Sequence, residues 1–128
     1  MERKDGCCRS GDTATVLACS GGSNVGQVTN EVAKLLDSEG LARLFCLAGV
    51  GGHIAGMVTS VDGADKVLVL DGCPVACGKA VMDAAGLKSY EWLVVTDLGI
   101  EKKHDFALNA ADVDCVLDES RSRLNGGS

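Results

Sequence analysis

Four cysteines occupy positions from which they could act together. Cys19 closes an apolar run, Cys46 closes another, Cys73 follows a third, and Cys77 lies four residues further on. Thiolate is both the reactive form of cysteine and a soft metal ligand, and four thiolates within reach of one another form a tetrahedral set suited to zinc. The same set serves rubredoxin-type iron or an iron–sulfur cluster, so iron is not excluded. Four ligands make a closed, structural site, whereas three leave a position for water and for catalysis. A tetrathiolate zinc site carries about two negative charges. The amides of Gly21, Gly22, Gly51, Gly52 and Gly72 could offset that charge. Taken singly, Cys19 and Cys46 read equally well as ordinary buried cysteines. Their joint placement argues for a shared role.

The stretch from Val67 to Leu87 organises this set. Val67–Asp71 reads as a buried strand and Asp71-Gly72 breaks it. Cys73 stands at a helix N-cap position, Pro74 at the first helical residue, and Gly86 at the stop. This spacing puts Cys73 and Cys77 on one face of a first helical turn, where the positive end of the dipole favours thiolate.

The rest of the chain repeats the pattern. Residues 1–12 are charged and aperiodic and read as a mobile tail, with Cys7 and Cys8 incidental to it; residues 13–125 read as a single domain. Thr13–Cys19 is a strand, and Ser20–Gly26 is a glycine-rich turn with Ser23 or Asn24 as N-cap. A helix with Val25, Val28, Val32, Leu35 and Leu36 at helical spacing follows and ends near Gly40. Leu41–Leu47 is the second strand, Ala48–Gly52 a turn, and His53–Val61 a short helix. Tyr90–Thr96 is the fourth strand, Asp97–Asn109 is polar and irregular, and Ala110–Leu124 is a last helix with Val113, Val116, Leu117 and Leu124 inward.

Strand–helix alternation of this kind predicts an α/β fold: a three-layer, doubly wound, four-stranded parallel sheet of order 2-1-3-4 with helices on both faces. Ligands bind such sheets at the carboxyl edge, near the switch point. Cys19, Cys46, Cys73 and Cys77 all fall there, on strands about 4.8 Å apart, while Cys115 falls on the last helix as a small core residue.

Composition bounds the function. The chain has 128 residues, 46% of them apolar, enough for one core, and only 3% aromatic. The net charge of -6 argues against nucleic acid as a partner. There is neither an apolar run near the roughly 20 residues of a membrane span nor a signal-peptide core. The expectation is a soluble, cytoplasmic protein. Seven cysteines, an odd number, in such a domain point to metal or catalysis rather than a disulfide scaffold.

Cys19-Ser-Gly-Gly-Ser, Cys46 followed shortly by Gly-Val-Gly-Gly, and Asp71-Gly72-Cys73-Pro74 with Cys77 together resemble the DGC-domain family, zinc-binding proteins named for that tripeptide. The resemblance covers about Thr13 to Leu124. It implies that the family's four chelating cysteines correspond to Cys19, Cys46, Cys73 and Cys77, and it implies no reaction.

Other chemistry fits less well. Gly21–Thr29 lacks the lysine of a phosphate loop, and no arginine closes the turn after Cys19 as a phosphatase cradle requires. A thiol–disulfide oxidoreductase using Cys73 and Cys77 is the main rival, although its usual spacing has two intervening residues and here there are three. A third class is a non-catalytic metal-handling or interaction module. His53 and His104 read as surface residues, Asp71 and Asp97 as turn carboxylates, and Lys79 as a solvated charge. The two free edges of the sheet allow a homodimer.

Overall fold

In the computed structural model, residues 14–125 are described; Cys7, Cys8 and the proposed tail, residues 1–12, lie outside them. The strands β1 (Ala14–Ala18), β2 (Arg43–Leu44), β3 (Lys66–Asp71) and β4 (Glu91–Val94) form one parallel sheet in the order β2-β1-β3-β4, as the alternation predicts. The helices are α1 (Asn24–Ser38), α2 (Leu47–Gly51), α3 (Ala55–Asp62), α4 (Cys77–Ala84) and α5 (Ala110–Asn125), and a 3₁₀ turn (Val95–Leu98) follows β4. No helix among the described residues is long and apolar enough to cross a membrane.

The two central strands are continuous apolar runs because both their faces are covered. Alternation sends Val16, Ala18, Leu68 and Leu70 to one side, with Val25, Val28, Val32 and Leu36 of α1 and Val116 of α5. Leu17, Val67 and Val69 go to the other side, with Val50, Val61 and Met82 from α2, α3 and α4. Val113, Val116, Leu117 and Leu124 are buried as the periodicity requires, but Cys115 between them is exposed and is not a core residue.

Four elements differ from the sequence expectation. The second strand shrinks to two residues, since β2 is an edge with Arg43 exposed. The Leu44 N–H on that edge donates to Asp37 Oδ2 over 2.7 Å, which satisfies a group that an edge leaves open. Beyond it, Ala48–Gly52 is not a turn: Leu47–Gly51 is a helix with Cys46 at its N-cap position. His53 does not open the next helix but links α2 to α3 in the left-handed region, at φ 59°. Finally, Cys73 and Pro74 are not the start of α4. They lie in a turn, and Cys77 is the first helical residue.

The delayed start of α4 has a cause in β3. Asp71, buried at the strand's last position, accepts hydrogen bonds from Gly78 N through Oδ1 (2.6 Å) and from Lys79 N through Oδ2 (3.0 Å). Those are free N–H groups of the helix's first turn, and the carboxylate caps them from across the strand end. The chain between must therefore loop out through Gly72–Ala76 before it can turn helical.

Candidate functional site

Three thiols line one cavity of about 140 Å³ at the carboxyl edge of the sheet: Cys19, Cys73 and Cys77, with Gly21, Gly72 and Lys102 among the other walls. Cys19 leaves β1 while still paired to β3, its N–H donating to Leu70 O over 3.0 Å. Its Sγ lies 3.8 Å from Thr29 Oγ1. The Thr29 hydroxyl gives its one hydrogen to Gly26 O (2.6 Å) and accepts from Ser20 N (3.1 Å). Toward Cys19 it can therefore only accept, so the thiol donates. Cys73, half-buried after β3, accepts a hydrogen bond from Lys102 Nζ over 3.4 Å. Cys77 is exposed at the head of α4.

The backbone is strained beside two of these thiols. Ser20, directly after Cys19, has φ 52°, and Ala76, directly before Cys77, has φ 60°. Left-handed backbone at a residue with a Cβ costs about 1–2 kcal/mol, and such residues gather at functional sites. The cavity floor is a close backbone contact that only glycine permits. A Cβ on Gly72 would stand 2.7 Å from Gly26 N, and one on Gly26 would stand 2.5 Å from Gly21 O. The middle residue of Asp-Gly-Cys is thus glycine so that the β3 turn can lie against the start of α1.

Cys46 is at the same edge but not in the cavity. Leu44 pairs with Val16, and Phe45 N donates to Val16 O over 3.0 Å, so Cys46 stands about level with the end of β1. It is exposed and does not line the cavity with the other three. Among the described residues, no three histidine, cysteine or carboxylate side chains are drawn together as a ready ligand group. The donors at the cavity fit a soft cation in kind. Holding one would require the sulfurs to move toward it.

Of the other residues the sequence singles out, His53 and His104 are exposed, and Asp97 is exposed in the 3₁₀ turn. Asp71 is a cap and an anchor. Lys79 is more than a solvated charge: its Nζ pairs with Asp83 Oδ2 at 3.0 Å and sits 5.7 Å from the Trp92 ring centroid. Two participants were not legible. Lys102 lies in the irregular polar segment, and Asn24, which fixes that segment, reads only as a cap candidate; Ser23 is the cap, accepting from Gly26 N over 3.1 Å. Lys102 is 29 positions from Cys73, and Asn24 is 77 and 79 positions from Glu101 and Lys103, so neither leaves a local pattern.

Residues 15–120 match the DGC domain family. The chain is also similar to the anaerobic and virulence modulator AnvM of Pseudomonas aeruginosa. The two are 34% identical over 112 residues, which cover 88% of this chain and 86% of that relative. No solved structure matches significantly.

Proposed function

This chain belongs to the DGC-domain family, and from its thiol cavity we propose that it is a cytoplasmic protein that binds a soft metal ion, zinc, through Cys19, Cys73 and Cys77. One observation carries the reading: three thiols from two separate turns line a single cavity at the edge where such sheets bind ligands. Bound there, zinc would supply a fixed charge that ties the turns after β1 and β3 together. Three thiolates leave a fourth position, for Cys46 after its turn shifts, or for water or an outside ligand. We assign no reaction. The relative's name calls that protein a modulator, and a role of that kind in this chain needs only that metal-loaded and metal-free turns differ in shape.

A second reading has its own support. Lys102 donates to Cys73 alone among the thiols, which singles out Cys73 as a nucleophile with Cys77 to resolve it. In that reading the two thiols become a Cys73–Cys77 disulfide, and a substrate disulfide takes up the two electrons.

Anaerobic purification with elemental analysis and thiol counting separates the readings. Near-stoichiometric zinc in colourless protein, lost in Cys19→Ser, supports the metal site; colour would identify iron instead. Metal-free protein that reduces a disulfide probe through Cys73, with Cys19→Ser unimpaired, overturns it in favour of exchange chemistry.

A further inference from the structure

The segment 99–109 has no regular structure, residues 101–107 are all exposed, and one of its side chains, Lys102, lines the thiol cavity. Its ends are anchored. Leu98 and Ile100 on one side and Leu108 on the other pack against the core, and Asn109 Oδ1 accepts from Ala111 N over 2.7 Å at the head of α5. Between these anchors three hydrogen bonds of its backbone to the body of the domain converge on one residue, Asn24, at the first position of α1. Asn24 Nδ2 donates to Glu101 O (2.9 Å), Asn24 Oδ1 accepts from Lys103 N (2.6 Å), and Asn24 N donates to Lys103 O (2.9 Å). These bonds grip the residues on both sides of Lys102. The lysine they leave free to project is the one whose Nζ reaches Cys73 Sγ and which forms a wall of the cavity.

We propose that segment 99–109 is a displaceable strap that carries Lys102 into the thiol cavity, latched by Asn24, and that Lys102 is the resident cation that a metal ion displaces from Cys73. The metal half of this rests on the metal-binding reading above; the latch does not. The chemistry is an exchange of partners at one sulfur. The Lys102 N–H···S bond breaks, a metal–sulfur bond forms as the Cys73 sulfur gives up any thiol proton to solvent, and the ammonium keeps its three protons and swings to solvent. A monovalent ammonium and a divalent metal compete for the same sulfur lone pairs and repel each other, so they do not share Cys73. With three of its bonds on one side chain and backbone, the strap can lift as a unit while its ends stay packed. Asn24 is a positioning residue: it touches no thiol and acts through Lys102.

The test uses the full chain, metal-free and reduced. Alkylation of each cysteine by neutral iodoacetamide and by anionic iodoacetate is followed by peptide mapping, with Cys115, exposed and outside the cavity lining, as internal reference. Asn24→Ala removes both side-chain bonds and should speed Cys73 alkylation about tenfold relative to Cys115, since reaction follows the open population. Asn24→Asp keeps the Lys103 acceptor and should fall between. Lys102→Met leaves the latch intact and should lower the iodoacetate-to-iodoacetamide ratio at Cys73 only. Zinc transfer from a chromophoric chelator should then be faster in Asn24→Ala and tighter in Lys102→Met. Cys73 rates unchanged in Asn24→Ala, with circular dichroism intact, overturn the latch. Weaker zinc binding in Lys102→Met overturns displacement, because it would mean that the lysine supports the metal-bound thiolate. If alkylation responds as stated but no variant takes up zinc, the latch stands and the metal reading fails; zinc uptake with unresponsive alkylation gives the reverse.

Discussion

The indole N–H of Trp92, on β4, donates to Oδ2 of Asp71, at the end of β3, over 2.8 Å. The same carboxylate takes the N–H groups of Gly78 and Lys79, so one buried side chain joins two strands and the helix that begins at Cys77. The aspartate of Asp-Gly-Cys therefore acts on the site through placement. It sets where α4 starts, and so where Cys77 stands relative to Cys73.

Removing members of this hub should give graded losses. Trp92→Phe deletes one hydrogen bond to a charged group and should cost about 1.5–3 kcal/mol. Asp71→Asn turns an acceptor of three donors into a group with an amide facing some of them, and should cost more, about 3 kcal/mol or above. Urea unfolding followed by circular dichroism checks the order, because Trp92 is the chain's single tryptophan and its fluorescence is lost in the first variant. Equal stability of Asp71→Asn and wild type would contradict the hub.

Ala76→Gly should stabilise the protein. At φ 60° the alanine Cβ is strained, and glycine relieves about 1–2 kcal/mol, offset by about 0.4–1 kcal/mol for the added freedom of the unfolded chain. The expected net gain is about 0.5–1 kcal/mol, read as a raised urea midpoint at unchanged m-value. A loss of stability would mean that the left-handed turn before Cys77 is not strained.

The sheet was legible because its signals are local and redundant. Val67–Asp71 is apolar, β-branched and ended by Asp-Gly, and every one of those features survives in β3. The order β2-β1-β3-β4 follows from short connections and general rules of parallel sheets. That Cys19, Cys73 and Cys77 line one cavity was legible for the same reason, since strand ends share an edge. The start of α4 was not. Pro74 after a cap-like Cys73 is a sound helix-start signal, but Asp71 caps a helix that starts three residues later, at Cys77, and nothing in a linear pattern ranks the two. Cys46 reads as a strand end because Leu41–Leu47 is apolar, although pairing on one side only ends β2 at Leu44.

A surface triad of Lys79 and Asp83 on α4 with Tyr90, just before β4, should leave a small acid-side signature. The Lys79 hydrogen bond, and then that of Tyr90, hold the Asp83 carboxyl below its ordinary value near 3.8. A carboxyl lowered by folding contributes stability that is present above its unfolded value and lost as pH falls through its folded value. Wild type should therefore lose slightly more stability than Asp83→Asn below about pH 4. The effect is small because the pair is exposed. Melting temperatures of the two proteins across the acid range check the sign; a steeper acid loss in Asp83→Asn would reverse it.

The cysteine series should be unequal, and the inequality follows from the cavity. Cys19, Cys73 and Cys77 line it and Cys46 does not. A serine at any of the three removes a soft thiolate from the donor set and should weaken zinc binding by about a hundredfold or more. Cys46→Ser should weaken it by less than about tenfold if the fourth position is taken by water or an outside ligand. The same ranking should appear in stability. Zinc bound at the cavity would join the turn after β1 to the turn after β3, whereas the buried apolar core lies on both sides of the sheet and none of its residues lines the cavity. Removing zinc with a strong chelator should thus lower the melting midpoint and stop short of unfolding the domain. Cys46→Ser should keep most of the zinc-dependent rise in midpoint, and Cys77→Ser should lose it. Competition titrations and paired melts of the four serine variants decide the matter. Equal losses in all four would place Cys46 in the bound shell and require the turn before α2 to close over the cavity when metal enters.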